Sequence, residues 1–260
     1  MLVQSPVADL PEAVQSAIAE IALRHKAAGG VLMKLVNAAG GQIENRLEML
    51  PDPVKLRIEA AASRALELAY RVAGQSRRSR DFALGDKGHL ALATLTGAAG
   101  GLGGLATALA ELPVTTTVIF RAIQSIAAGH GFDPDDPVVR AECLQVFAAG
   151  SPLQQDDGVN TSFLAARVTV TGPAIQRLIA SISPRFAALL GQKLAAQAVP
   201  VLGALTGAGI NYAFMNYFQE MAHVRFGLMR LSRNHDPAAV RAAFGAAVVR
   251  EHPGNGASLH

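Results

Sequence analysis

Glu220 and His223 are the residue pair whose spacing most closely resembles a known catalytic pattern. They form a Glu-x-x-His on a predicted helix, the arrangement that di-iron carboxylate bundles use on each of two helices. This sequence contains one such pair rather than two. The pair is therefore more typical of the polar face of an amphipathic helix, and we predict no metal site and no cofactor.

Other polar residues could join this pair if the fold brings them together. Five residues are candidate ligand-binding residues on this reasoning: Glu111, Arg121, Glu142, Glu220 and His223. Carboxylates and a histidine that converge in one pocket would favour catalysis, for example hydrolysis. We predict no catalytic residues, because Cys143 stands outside any reactive-cysteine motif and no G-x-S-x-G occurs. An enzyme remains the alternative to a non-enzymatic binding protein.

The glycine-rich stretch "TGAAGGLGGLATALAELP", residues 96–113, is the most unusual segment. Gly97, Gly100 and Gly104 recur at intervals of three and four, which places them on one helix face that a second helix can approach closely. Gly203 and Gly207 form a similar pair. A nucleotide-binding loop is disfavoured, because that motif follows a buried strand. Residues 90–110 carry no charge over a length that could cross a bilayer, so membrane contact stays open.

Composition and helix signals predict an all-α fold with closely packed Gly/Ala-rich central helices. Half of the 260 residues are hydrophobic and 17% are charged, and no long stretch alternates as a strand would. We predict a single helical domain over residues 1–250 with about eight to ten helices. It comprises N-terminal helices at 11–75, a basic connector at 76–88 and a core at 89–235, followed by a disordered tail at 251–260.

Helix boundaries are predicted mainly from proline and aspartate. Asp-Pro pairs favour helix starts at Asp52 and Asp136. The remaining predictions are a helix over 31–49 that is separate from the first one, helix starts at Pro113, Pro173 and Pro184, and a longest helix over 206–233.

Four cations precede the uncharged stretch and predict contact with an anionic membrane surface. They are Arg77, Arg78, Arg80 and Lys87, and each could contribute about 1 kcal/mol near such a surface. A solvated basic loop is the alternative. The net charge of +3 is too small to indicate a nucleic-acid partner. With a single cysteine and no recognisable signal peptide, we predict a cytoplasmic protein, peripheral on the inner face of the cell membrane.

Two further blocks, "ELPVTTTVIFRAI" at 111–123 and "PVLGALTGAGIN" at 200–211, accompany the glycine stretch. In this order they resemble the EcsC family, bacterial proteins named from an operon that also encodes an ABC transporter. The resemblance covers roughly residues 50–235, and it departs from the family at Phe163, where a tyrosine is expected. It implies an intracellular accessory protein that associates with a membrane. Together with the small-residue helices and the basic connector, it predicts as partners a lipid or other amphiphile, an anionic membrane surface or a membrane protein.

Overall fold

The computed structural model describes residues 10–38, 52–75, 104–148, 172–197 and 203–251. These ranges contain seven helices: α1 (Glu12–Ala38), α2 (Asp52–Gln75), α3 (Gly104–Gly129), α4 (Pro137–Val146), α5 (Gly172–Gln197), α6 (Gly203–Leu231) and α7 (Pro237–Glu251). No strand occurs within the described ranges. The predicted all-α, single-domain fold is therefore confirmed.

The helices form two groups that meet at α3 and α6. Helix α1 packs against α6 and α7, whereas α2 packs against α3 and α5. Helix α3 also packs against α6 and joins the two groups. The short helix α4 contacts α2, α3, α5 and α6, so it lies inside the bundle, and its residues from Ala141 to Val146 are all buried.

Phe147, directly after α4, lies at the centre of the core. Its ring centroid is 4.9 Å from that of Phe218, 5.1 Å from that of Phe186 and 6.3 Å from that of Phe120. These three partners come from α6, α5 and α3, and all four rings are buried. Aromatic pairs at such distances stabilise a core beyond the area they bury, so this cluster fixes α4 against three longer helices.

The turn between α3 and α4 follows from the sequence "GHGFDPDDP". Gly131 has φ +80°, a left-handed conformation that glycine adopts without strain. Its N–H donates to Ala128 O and the next N–H, of Phe132, donates to Ala127 O, the two bonds of a Schellman motif. Asp136 then caps α4 by accepting a hydrogen bond from Val138 N. The predicted helix start at Asp136 is confirmed.

Three predicted boundaries are wrong, because the helices run through the residues that were expected to interrupt them. Pro113 and Pro184 lie inside α3 and α5, although a proline there removes one backbone hydrogen bond. Helix α1 continues to Ala38, so no separate helix begins at residue 31. The tertiary packing of each apolar face outweighs these local signals.

The predicted buried face of α2 also needs correction. The spacing of apolar residues in α2, at intervals of three and four, predicts that Leu68 faces the core with Ile58 and Ala65, but Leu68 is 38% exposed. Leu66 is instead fully buried, with Ala62 and Ala69 beside it. The buried stripe therefore runs through small residues, and two leucines of α2, Leu56 and Leu68, lie on the outside.

Several residues for which the sequence predicts a role lie outside the described part of the chain. They are Gly97, Gly100, Arg77, Arg78, Arg80, Lys87, Phe163 and the tail at 252–260. Gly104 and Gly203 begin α3 and α6, and Gly207 lies in the second turn of α6. Close packing at these glycines stays a prediction. Among the helices described, none is long and apolar enough to cross a membrane.

Candidate functional site

Glu142 of α4 forms a buried ion pair with Arg225 of α6. Both Nε and Nη2 of Arg225 donate to Glu142 Oε2, the former at 2.8 Å. The Arg225 side chain is 2% exposed. A buried charge is tolerated only when it is paired and hydrogen-bonded, so this pair fixes α4 on α6. Beside it, burial raises the pKa of the Cys143 thiol, which keeps that sulfur protonated.

Glu220 and His223 lie on another side of α6, against α1 and the end of α3. Arg24 Nη1 of α1 donates to Glu220 Oε2 at 2.9 Å. His223 Nδ1 lies 3.1 Å from His130 Nε2, at hydrogen-bond distance. The predicted polar face of α6 therefore faces other helices. Gly227 is part of this contact, because a Cβ there would lie 3.1 Å from Cδ1 of Ile21.

The electrostatic surroundings of His130 favour its neutral form. Burial is the largest cause, followed by His223 and the guanidinium groups of Arg230 and Arg24, and together they lower the pKa of His130 from 6.5 to about 4. At neutral pH the His130 ring is uncharged, and it is hydrogen-bonded to the His223 ring. The arrangement joins α3 to α6 and makes that junction sensitive to acid.

The five candidate ligand-binding residues do not form one cluster. Positions 223 and 225 of a helix point about 160° apart, so the Glu142 pair and the His223 pair lie on opposite sides of α6. Arg121 is half-buried on α3, and the side chain of Glu111 lies outside the described set. Within the described residues, no three metal-ligating side chains are close enough to hold an ion.

A groove between α2 and α5 is a second candidate site, which sequence reasoning missed. Its volume is about 420 Å³. The lining residues are Glu67, Tyr70, Arg71, Gly172, Ile175, Gln176 and Ile179. The two isoleucines and the tyrosine ring supply apolar surface, while Arg71 supplies a cation and Gln176 an amide. No local sequence pattern predicts such a groove, because it depends on how two helices that are distant in the sequence pack together.

Cations predominate around this groove. The guanidinium of Arg140 stacks over the Tyr70 ring, 4.9 Å from its centroid. Helix α5 contains no acidic residue, but its Arg177 and Arg185 point away from the groove, because a helix turns 100° per residue. The one carboxylate that lines the groove belongs to Glu67. Arg71 and Glu67 balance each other, so the guanidinium of Arg140 gives the site, with its apolar surface, a small net positive charge.

A sequence profile of the EcsC protein family matches residues 76–231. The chain is also 26% identical over 147 residues to Uncharacterized protein YdbA of Bacillus subtilis (strain 168), an alignment covering 54% of this chain and 53% of that protein. The chain thus spans about half the length of this relative. No solved structure matches. Since the profile covers more than half of the sequence, including α3 to α6, the chain belongs to the EcsC protein family.

Proposed function

We propose that this protein is a non-enzymatic accessory protein that binds an anionic amphiphile, such as a phospholipid, at the inner face of the cell membrane. The groove between α2 and α5 carries the proposal. Its apolar residues Ile175 and Ile179 line the same groove as Arg71. A ligand that satisfies both needs an apolar part and an anionic group, which is the definition of an anionic amphiphile.

The size of the groove supports a lipid headgroup rather than a whole lipid. Ligand sites for small molecules occupy about 300–1,000 Å³, and this groove, at about 420 Å³, is at the small end. A phosphate and the adjoining glycerol fit such a volume, whereas two acyl chains do not. The chains of a bound phospholipid would stay in the bilayer, which makes the protein peripheral to the membrane.

The contacts of the polar residues support a non-enzymatic role. Glu142 is held by Arg225 inside the core, and Glu220 is held by Arg24. His223 bonds to His130. These side chains join helices to one another, and the Glu142 pair lies on the opposite side of α6 from His223. A catalytic constellation instead requires an acid or base beside a pocket where a substrate can bind.

Single-tryptophan variants test binding in the groove, because the sequence contains no tryptophan. Gln176→Trp places an indole at the groove, and Ser181→Trp places one at an exposed position of α5 away from it. We expect short-chain phosphatidylglycerol to shift the fluorescence of the first variant saturably, with no shift for the second. Short-chain phosphatidylcholine should have no effect on either.

Arg71→Gln in the Gln176→Trp background should weaken this binding about tenfold or more, because a charged hydrogen bond contributes about 1.5–3 kcal/mol. Equal fluorescence changes at positions 176 and 181, or unaltered binding after loss of Arg71, would refute the groove as the site.

A further inference from the structure

Three arginines of α2 recur every seven residues on one exposed face. Arg57, Arg64 and Arg71 are all exposed. Seven residues make almost two full helical turns, so these side chains lie nearly in line, about 10.5 Å apart along the axis. Among the described residues, none of the three forms an ion pair. The stripe therefore presents three cations along about 21 Å of surface.

Two exposed leucines border this stripe. Leu56 is 65% exposed and Leu68 is 38% exposed. Their directions on the helix differ by about 120°, and the three arginines and the half-buried Glu67 lie between them, so the face keeps a net positive charge. A single exposed leucine is common on protein surfaces and needs no explanation. Here both leucines flank a row of cations, a combination that suits the boundary between lipid headgroups and acyl chains.

We propose that this face of α2, formed by Leu56, Arg57, Arg64, Leu68 and Arg71, rests on the surface of an anionic phospholipid bilayer. The arginines would bind lipid phosphates, and the leucines would enter the layer beneath them. The inference rests on the proposed function, because a lipid bound in the groove would belong to the bilayer that this face contacts. Arg71 lines the groove as well as the face, so the groove opens beside the membrane.

A nucleic acid is the other polyanion that a row of arginines could bind, and the leucines argue against it. Sequence-independent nucleic-acid sites combine cations with aromatic side chains on which bases stack. The exposed positions of this face contain leucine and no aromatic ring; Tyr70, half-buried on α2, is covered by Arg140. Apolar aliphatic side chains fit the acyl layer instead. In the sequence, Arg78 continues the seven-residue spacing towards the basic segment at 76–88.

Vesicle binding by matched double variants tests the proposal. Arg57→Gln/Arg64→Gln removes two charges from the face and leaves Arg71 in the groove. Arg241→Gln/Arg250→Gln removes two charges from α7, which packs on α1 and α6 rather than on α2. In co-sedimentation with vesicles containing phosphatidylglycerol, we expect about 30-fold weaker binding for the first variant. The control should change less than about threefold.

The leucines have a matched control in Leu23, which is 51% exposed on α1. Leu56→Ser/Leu68→Ser should weaken vesicle binding about tenfold, whereas Leu23→Ser should not. Because all the replaced side chains are at least partly exposed, circular dichroism and the melting temperature should show each variant folded.

Equal losses of vesicle binding in the α2 and α7 variants would overturn the proposed membrane-binding face. So would a folded α2 variant that loses binding to single-stranded RNA but keeps binding to vesicles. In either case the fluorescence titration in the groove could still succeed, and the proposed function would stand. If that titration shows no binding while the α2 arginine variant loses vesicle binding, the α2 face is the membrane-binding surface and the groove is not the ligand site.

Discussion

At the residue scale, the Glu142–Arg225 pair shows how a buried charge can serve the fold. Sequence reasoning identified Glu142 as a candidate ligand-binding residue and did not single out Arg225, which is its partner. The two are 83 positions apart in the sequence, and no local spacing connects them. A charged residue within a predicted apolar segment such as "MAHVRFGLM" indicates a buried pair, but its partner can be identified only from the packing of α4 on α6.

Replacing one member of the pair should be more harmful than replacing both. Arg225→Met leaves the Glu142 carboxylate buried without its ion-pair partner, and the loss in free energy of unfolding should be about 3–5 kcal/mol. Arg225→Met/Glu142→Leu removes both charges and should recover much of that loss. Urea unfolding measures both values. If the double variant is no more stable than Arg225→Met, the pair does not act as a unit.

Acid should weaken the junction at His130. In the unfolded chain the histidine pKa is about 6.5, and in the folded protein it is about 4. Between these values the unfolded chain binds more protons, so stability is fully present above about pH 6.5 and falls as the pH is lowered towards 4.

Calorimetry at pH 7 and pH 5 should therefore show a lower melting temperature at pH 5, and a smaller decrease in His130→Gln. His235→Gln, which replaces a histidine in the turn after α6, is the control. An identical decrease in wild type and His130→Gln would contradict the assignment.

At the element scale, the Asp-Pro capping signals predicted helix starts correctly, whereas prolines without a preceding aspartate predicted them poorly. Asp52 and Asp136 lie at the starts of α2 and α4, as expected. The same Asp-Pro signal at Asp236 marks α7, where Ala239 N donates to Asp236 Oδ2, and it was overlooked. Pro113 and Pro184 do not mark helix starts, because a proline inside a helix is tolerated when the buried face on either side packs well.

The two prolines of α5 offer a direct comparison. Pro173 is in the first turn, where a missing N–H costs nothing, and Pro184 is inside the helix. Both are exposed. Pro184→Ala should raise the free energy of unfolding by about 1–3 kcal/mol, and Pro173→Ala should change it by less than about 0.5 kcal/mol. Chemical denaturation of the two variants measures the difference, and equal values would argue against a continuous α5.

The cap of α7 can be tested in the same way. Asp236→Ala removes the acceptor for Ala239 N and should lower stability by about 1 kcal/mol. Asp236→Asn keeps a side-chain oxygen at that position and should retain most of the stability. Thermal unfolding of both variants checks this, and an equal effect of the two replacements would show that the cap oxygen is unimportant.

At the scale of the whole molecule, helix periodicity predicted the fold class, because each long helix has an apolar face that must be buried. The EcsC resemblance was confirmed by the profile match over residues 76–231. The groove between α2 and α5 and the row of arginines on α2 were not predicted. The apolar spacing of α2 places Leu68 on the buried side, and only the packing of α2 against α3 and α5 shows which side is outward.

The most direct test of the account is the salt dependence of membrane binding by the intact chain. In flotation assays the protein should rise with vesicles containing phosphatidylglycerol and not with phosphatidylcholine vesicles. About 0.5 M salt should release it, since the interaction of exposed charges is screened at that ionic strength. Failure to float with the anionic vesicles, or binding that resists salt and yields only to detergent, would contradict a peripheral protein held by arginines.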